Sequence, residues 1–135
     1  MDAYDELYAY TMGRAGFILQ HVVDAHKAQT ATPDTAAIGV VFSLVGLYLH
    51  VEHGFTGTQV QQAHMRMGAK KRTWPIIELP LDRGALTAAE VLAVPAGPAR
   101  DAAIDEWCRV VWRAFCDSRD TIVALTREHI RNLER

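Results

Sequence analysis

From Thr35 to Gly54 the chain reads TAAIGVVFSLVGLYLHVEHG, apolar on every side as far as Leu49. A helical stretch that is apolar all round is one walled in by other helices, so the pattern predicts a buried central helix. It is too short, and too quickly followed by His50, Glu52 and His53, to read as a membrane span. Within it Gly39, Ser43, Gly46, His50 and His53 step by four, three, four and three, which places them on one stripe. The small members predict a seam where a second helix comes close, and the histidines prolong that seam to the helix end. Asp34 or Thr35 suits the N-cap. Gly54 supplies the left-handed residue that stops the helix.

Residues 3–28 carry a second apolar face through Tyr4, Leu7, Met12, Phe17, Ile18, Leu19, Val22 and Val23. Asp2 and Asp5 stand where the helix dipole favours acids. This predicts one continuous first helix, with Gly13 and Gly16 closing on the central seam. Thr56 and Gln59 have the spacing of a capping box and open a short helix that runs to Met67 and is closed by Gly68. Val60, His64 and Met67 lie on its apolar face. Pro75 cannot sit inside a helix, so AKKRTWP is a loop. Ile76 to Leu81, with Pro80 and no partner strand, is expected to strap over the surface. Thr87 and Glu90 repeat the capping box for a second short helix ending near Val94.

Pro98 suits the first turn of the last helix. Ile104, Trp107, Cys108, Val111 and Phe115 mark its buried face, and Ile122, Leu125, His129 and Leu133 continue the stripe beyond Asp117 and Ser118, the place for any break. Run unbroken to Leu133, this helix would be roughly 54 Å long and would overshoot neighbours nearer 30 Å. A second subunit is the simplest cover for the excess, so the pattern predicts a homodimer through the C-terminal helix. The fold expected is all-α: one helical domain over residues 1–135, a bundle with a buried central helix, two short helices and a long C-terminal helix.

Composition narrows the classes. Half of the 135 residues are hydrophobic and 22% are charged, the make-up of a globular domain able to bury a core. A net charge of −2 gives no basic field for nucleic acid, so nucleic acid is not an expected partner. The acidic, aromatic start MDAYDELYAY lacks the features of a signal peptide, and the protein reads as cytoplasmic, with no membrane partner. Cys108 and Cys116 would lie about 12 Å apart on one helix, too far for a disulfide. Both are expected as inert core thiols. Ser43 sits in the packing seam, which argues against a serine nucleophile.

Tyr4-Asp5-Glu6-Leu7, the run HVVDAHKAQ from His21 to Gln29, the tract LYLHVEHG, and Trp107 with Trp112 resemble a family of short bacterial proteins catalogued only as a domain of unknown function. The resemblance spans most of the chain. His21, Val23, Asp24 and Gln29 match the family's pattern in its first helical region; His26 stands at its aromatic position and Thr30 at its second histidine. The resemblance implies a helical fold and supplies no activity.

Six histidines are the chemically pointed feature of the chain. His50 and His53 share a helix face. If the first and central helices pack antiparallel through the loop at residues 29–34, Glu6 and Tyr10 lie at the same end, and His64 is joined to it by a short loop. Glu6, His50, His53 and His64 would then be a nitrogen-and-carboxylate set suited to zinc, iron or manganese, with Tyr10 donating to a bound oxygen. The same register sets His21 level with Phe42 and about 12 Å along the axis from His50, so those two are not expected to meet. His21 and Asp24, three apart on one face, form a second candidate group with His26 and Tyr10. The plainer reading is a histidine bonded to its own helix's carboxylate in a packed interior. The basic run HMRMGAKKRTW reads as a solvated loop. Two functions follow: a homo-oligomeric binding or assembly module with structural histidines, or a small metal-dependent enzyme or metal-binding protein. The first is favoured, because no constellation reaches catalytic specificity. A small-molecule ligand fits either.

Overall fold

In the computed structural model, residues 1–131 are described, and among them the chain forms seven helices and no strand. They are α1 (Ala3–Thr11), α2 (Leu19–Thr30), α3 (Ala37–His53), α4 (Gly57–Gly68), α5 (Ala88–Ala93), α6 (Pro98–Ala114) and α7 (Arg119–His129). None of them is long and apolar enough to cross a membrane.

The all-round apolar run forms the centre of the molecule as its pattern predicts. Every residue of α3 from Val40 to Leu49 except Phe42 is buried, and α2, α4, α6 and α7 pack around it. Gly54 ends it with φ +69° and sends its N–H back to the His50 carbonyl. The start differs from expectation. Ala36 occupies the N-cap without a side-chain cap, and Thr35 turns its hydroxyl to the Thr32 N–H instead. Both capping sequences perform as read. Thr56 and Gln59 bond each other's backbone at α4, and the Glu90 carboxylate takes the Thr87 N–H and hydroxyl at α5. Residues 70–86 run without helix or strand, and the strap expected over Ile76 to Leu81 lies within them.

Two long helices expected from the apolar pattern are each broken. The first divides after Thr11. Gly16 has φ +79° and Phe17 φ +57°, a left-handed turn that an α-helix cannot contain. Gly13 and Gly16 therefore bend the chain and do not line the seam: a Cβ on either would meet nothing within 4 Å. The bend lets α1 fold back onto α2 and α5. The close approach is made by Gly57 instead, where a Cβ would collide with the Phe17 carbonyl.

The C-terminal helix likewise divides, at Phe115, into α6 and α7 through a 3₁₀ turn at Cys116–Ser118. Arg119, at the start of α7, donates from Nε (2.8 Å) and Nη2 (2.5 Å) to Glu52 of α3, which also accepts the Trp112 indole N–H at 2.8 Å. The turn brings α7 onto α3, where Ile122, Val123 and Leu125 are buried in the chain's own core. The expectation of a long helix is thus corrected, and the argument for a dimer that rested on its overshoot loses its premise. Leu133, the last member of the expected stripe, lies outside the described residues. Of the two cysteines, Cys108 is buried as expected and Cys116 is exposed.

Candidate functional site

The small-residue stripe of α3 faces α2 along its length. The Lys27 side chain lies over Gly39. Farther along, a Cβ on Gly46 would overlap the Asp24 carboxyl group. Beyond that, the His50 ring stacks on His21 with centroids 3.5 Å apart and planes 18° from parallel. His21 and His50, expected about 12 Å apart along the axis, are therefore in van der Waals contact. That estimate measured by rise from a symmetric turn over residues 29–34, whereas α2 runs on to Thr30 and α3 starts only at Ala37, which shifts the two helices along each other.

Each histidine at this seam is fixed by a different partner. His50 Nδ1 donates to the Phe55 carbonyl at 2.9 Å, and its Nε2 lies 2.9 Å from Asp105 Oδ1 on α6. Both partners are acceptors, so each contact is made to an N–H of the ring. The bond from His50 holds the Asp105 carboxyl below its usual range. His21 is buried, and burial followed by the nearby His50 pushes its pKa down to about 3. It is neutral at ordinary pH. Cys108, buried beside it, points its thiol at the His21 carbonyl across 3.7 Å.

Asp24 is the anomalous group. It is 3% exposed, and burial pushes its carboxyl well above the usual range. Its Oδ1 accepts from Gln20 Nε2 at 3.0 Å. Its Oδ2, and Nδ1 of His21 one turn earlier, are buried side-chain atoms with no hydrogen-bond partner. Leaving such a group unpaired costs about 1–3 kcal/mol. Asp24 also borders a cleft of about 240 Å³ between α2, α3 and α4, together with Gln20, Lys27, Phe42, Ser43 and His64. His64 Nε2 donates to the Phe42 carbonyl at 2.7 Å, which leaves Nδ1 as an acceptor, and burial lowers its pKa.

The residues expected to share a metal are distributed differently. Glu6 is exposed on α1, whose packing partners are α2 and α5. His50 is committed to Phe55 and Asp105, His53 Nε2 lies 2.8 Å from the Tyr48 hydroxyl, and His64 faces the Asp24 cleft. Among the described residues no three His, Cys, Asp or Glu side chains converge as a metal-ion set. The second candidate group also separates. His21 and Asp24 stay on the seam, while His26 stacks on Tyr4 with centroids 3.8 Å apart. Tyr10 donates to Asp101 at 2.8 Å and accepts the Gly97 N–H at 3.0 Å, holding the start of α6 with Arg14, which pairs with the same aspartate. Sequence reasoning missed Asp105. Its signal was present: Asp101, Asp105, Cys108 and Trp112 step by four, three and four along α6.

Fold and site define an all-α helical protein with a buried polar seam and a small cleft beside it. The chain belongs to a family of unknown function, DUF5946, whose model matches residues 1–116. No curated protein and no solved structure matches it.

Proposed function

We propose that the protein is a binding module for a small polar molecule, received in the cleft between α2, α3 and α4. The observation that carries this reading is Asp24, a buried carboxyl, its pKa pushed well above the usual range by burial, that the fold itself leaves half-bonded at the border of a cleft. Buried polar atoms without partners are few in native proteins, and a strongly shifted acid beside a cleft marks a site. Lys27 lines the cleft as a donor, with the Asp24 carboxyl at its border and the His64 ring beside Phe42. Its volume suits a molecule smaller than a drug-sized ligand.

The metal reading has less behind it, since both nitrogens of His50 are already bonded and stacked rings cannot aim at one ion. Pairing of two copies would add to the binding role through a surface other than the buried face of α7, and sedimentation velocity tests it.

Amide-resolved NMR of the whole chain, screened against compact polar fragments, tests the main reading. Binding should move the amides of Lys27, Gly39, Ser43 and His64, and Asp24→Ala, which removes the polar group outright, should weaken it several-fold in a chain that still folds. Fragments that leave those amides unmoved, or that bind folded Asp24→Ala equally well, would overturn it.

A further inference from the structure

A larger cleft, of about 650 Å³, lies where the start of α1, the last turn of α2 and the strap before α5 meet. It shares no lining residue with the Asp24 cleft. One wall is the Tyr4–His26 stack, whose planes are within 10° of parallel. Arg83 lines the same space.

Arg83 is held by main chain. Its Nε donates to the Pro80 carbonyl at 3.0 Å, and Nη1 donates to the carbonyls of Ala28 (3.3 Å), Gln29 (3.1 Å) and Ala31 (2.6 Å). Those last carbonyls end α2, where helix geometry leaves acceptors free. The guanidinium is therefore locked along one edge. Its Nη2, with two N–H groups, has no hydrogen-bond partner among the described residues and is not one of the buried orphan atoms. No carboxylate among the described residues forms an ion pair with Arg83.

Three other polar side chains around the cleft, those of Gln29, Thr30 and Thr87, are spent. Gln29 donates to the Arg83 carbonyl at 3.2 Å and the Leu86 carbonyl at 2.8 Å, and accepts from the Trp107 indole at 3.0 Å. The Thr30 hydroxyl donates to the His26 carbonyl, and that of Thr87 to Glu90. What remains is one fixed cationic edge beside a flat aromatic wall. Asp2 borders the same cleft and opposes a second negative charge on any occupant.

We propose that this cleft binds a small planar carboxylate, its carboxylate on Nη2 of Arg83 and its flat body against the Tyr4–His26 stack. Guanidinium–carboxylate pairing is the strong, charge-assisted kind, and the backbone carbonyls have already set the geometry. A monoanion is favoured over a dianion because of Asp2.

Benzoate, benzamide and inorganic phosphate, titrated into the full ¹⁵N-labelled chain near pH 7, test this directly. Benzoate should shift the amides of Thr30, Ala31, Gly84 and Ala88 saturably. Benzamide, of the same shape without the charge, should bind about tenfold more weakly, the loss expected when a charge-assisted hydrogen bond is removed. Equal binding of benzamide, equal binding of phosphate, or benzoate shifts confined to other residues would each overturn the proposal. Arg83→Gln also loosens the end of α2, so His26→Ala is the cleaner variant: it removes half of the aromatic wall and leaves Arg83 in place. Weaker benzoate binding to folded His26→Ala supports the placement of the ring, and unchanged affinity refutes it.

Discussion

The ring of His21 lies on that of His50, 3.5 Å between centroids, with His50 bonded outward to Asp105 and His21 left with a bare nitrogen inward. The arrangement orders the charges of the seam. Asp105 and His50 form the hydrogen-bonded outer pair, and His21 and Asp24 form the inner pair, in which burial disfavours charge. Charge is kept where water reaches it: the Asp105 side chain is 46% exposed, whereas His21 and Asp24 are both below 5%.

Zinc should therefore leave the melting temperature of the chain unchanged at equimolar concentration. Both His50 nitrogens are engaged, and His53 is turned to Tyr48. Differential scanning fluorimetry with and without zinc checks this. A rise in melting temperature that His50→Ala abolishes would restore the metal site.

Gly46 is the point where the seam is tightest. A Cβ there overlaps the Asp24 carboxyl and comes within 3.1 Å of Val60 Cγ1. Gly46→Ala should cost about 1–3 kcal/mol despite the better helix propensity of alanine. Most of that cost should vanish in the background of Asp24→Ala, since neighbouring sites couple by about 0.5–3 kcal/mol. Urea denaturation of the four proteins of this cycle measures the coupling, and additive losses would show that Asp24 is not what Gly46 makes room for.

Ile122 is fully buried in the chain's own core. Ile122→Asp should accordingly lower stability by about 3 kcal/mol or more, independent of protein concentration. If the variant instead kept the wild-type melting temperature and only changed its sedimentation, α7 would be serving a second copy of the chain.

The two breaks explain what could and could not be read from the sequence. The apolar run at Val40–Leu49, the capping residues Thr56 and Thr87 and the stop at Gly54 are local signals, and each is realised in place. The bend at Gly16 is hidden because the apolar face continues on both sides of it, and a glycine inside a helix costs only about 1 kcal/mol. The break at Phe115 has no glycine or proline to announce it. Its cause is tertiary: Glu52, 67 residues away, takes the Arg119 guanidinium. The place of that break, by Asp117 and Ser118, was legible; the register between α2 and α3 was not, because it depends on the loop running as far as Ala36. The face shared by His21 and Asp24 was legible from their spacing, but their meeting with Gly46, His50 and Asp105 was not. Arg83 lies in an irregular strap, where no periodicity points to it.

The inner pair of the seam makes a prediction about pH in which two effects of opposite sign overlap. The His21 pKa falls from 6.5 to about 3 on folding, so between those values the unfolded chain binds the extra proton, and stability is lost as pH falls through that window. Asp24 runs the other way. Its folded pKa is raised well above 3.8, so above pH 3.8 the folded chain holds the extra proton, and stability is lost as pH rises. Above pH 3.8 the slope from Asp24 opposes that from His21, each limited to about 1.4 kcal/mol per pH unit. Relative to wild type, Asp24→Asn should thus gain stability steadily as pH rises through this range, and His21→Gln should lose it. Denaturant unfolding at half-unit pH steps gives the difference curves. If both variants ran parallel to wild type from pH 4 to 6.5, His21 and Asp24 would be titrating as they do in the unfolded chain, and burial would not be disfavouring charge in the inner pair.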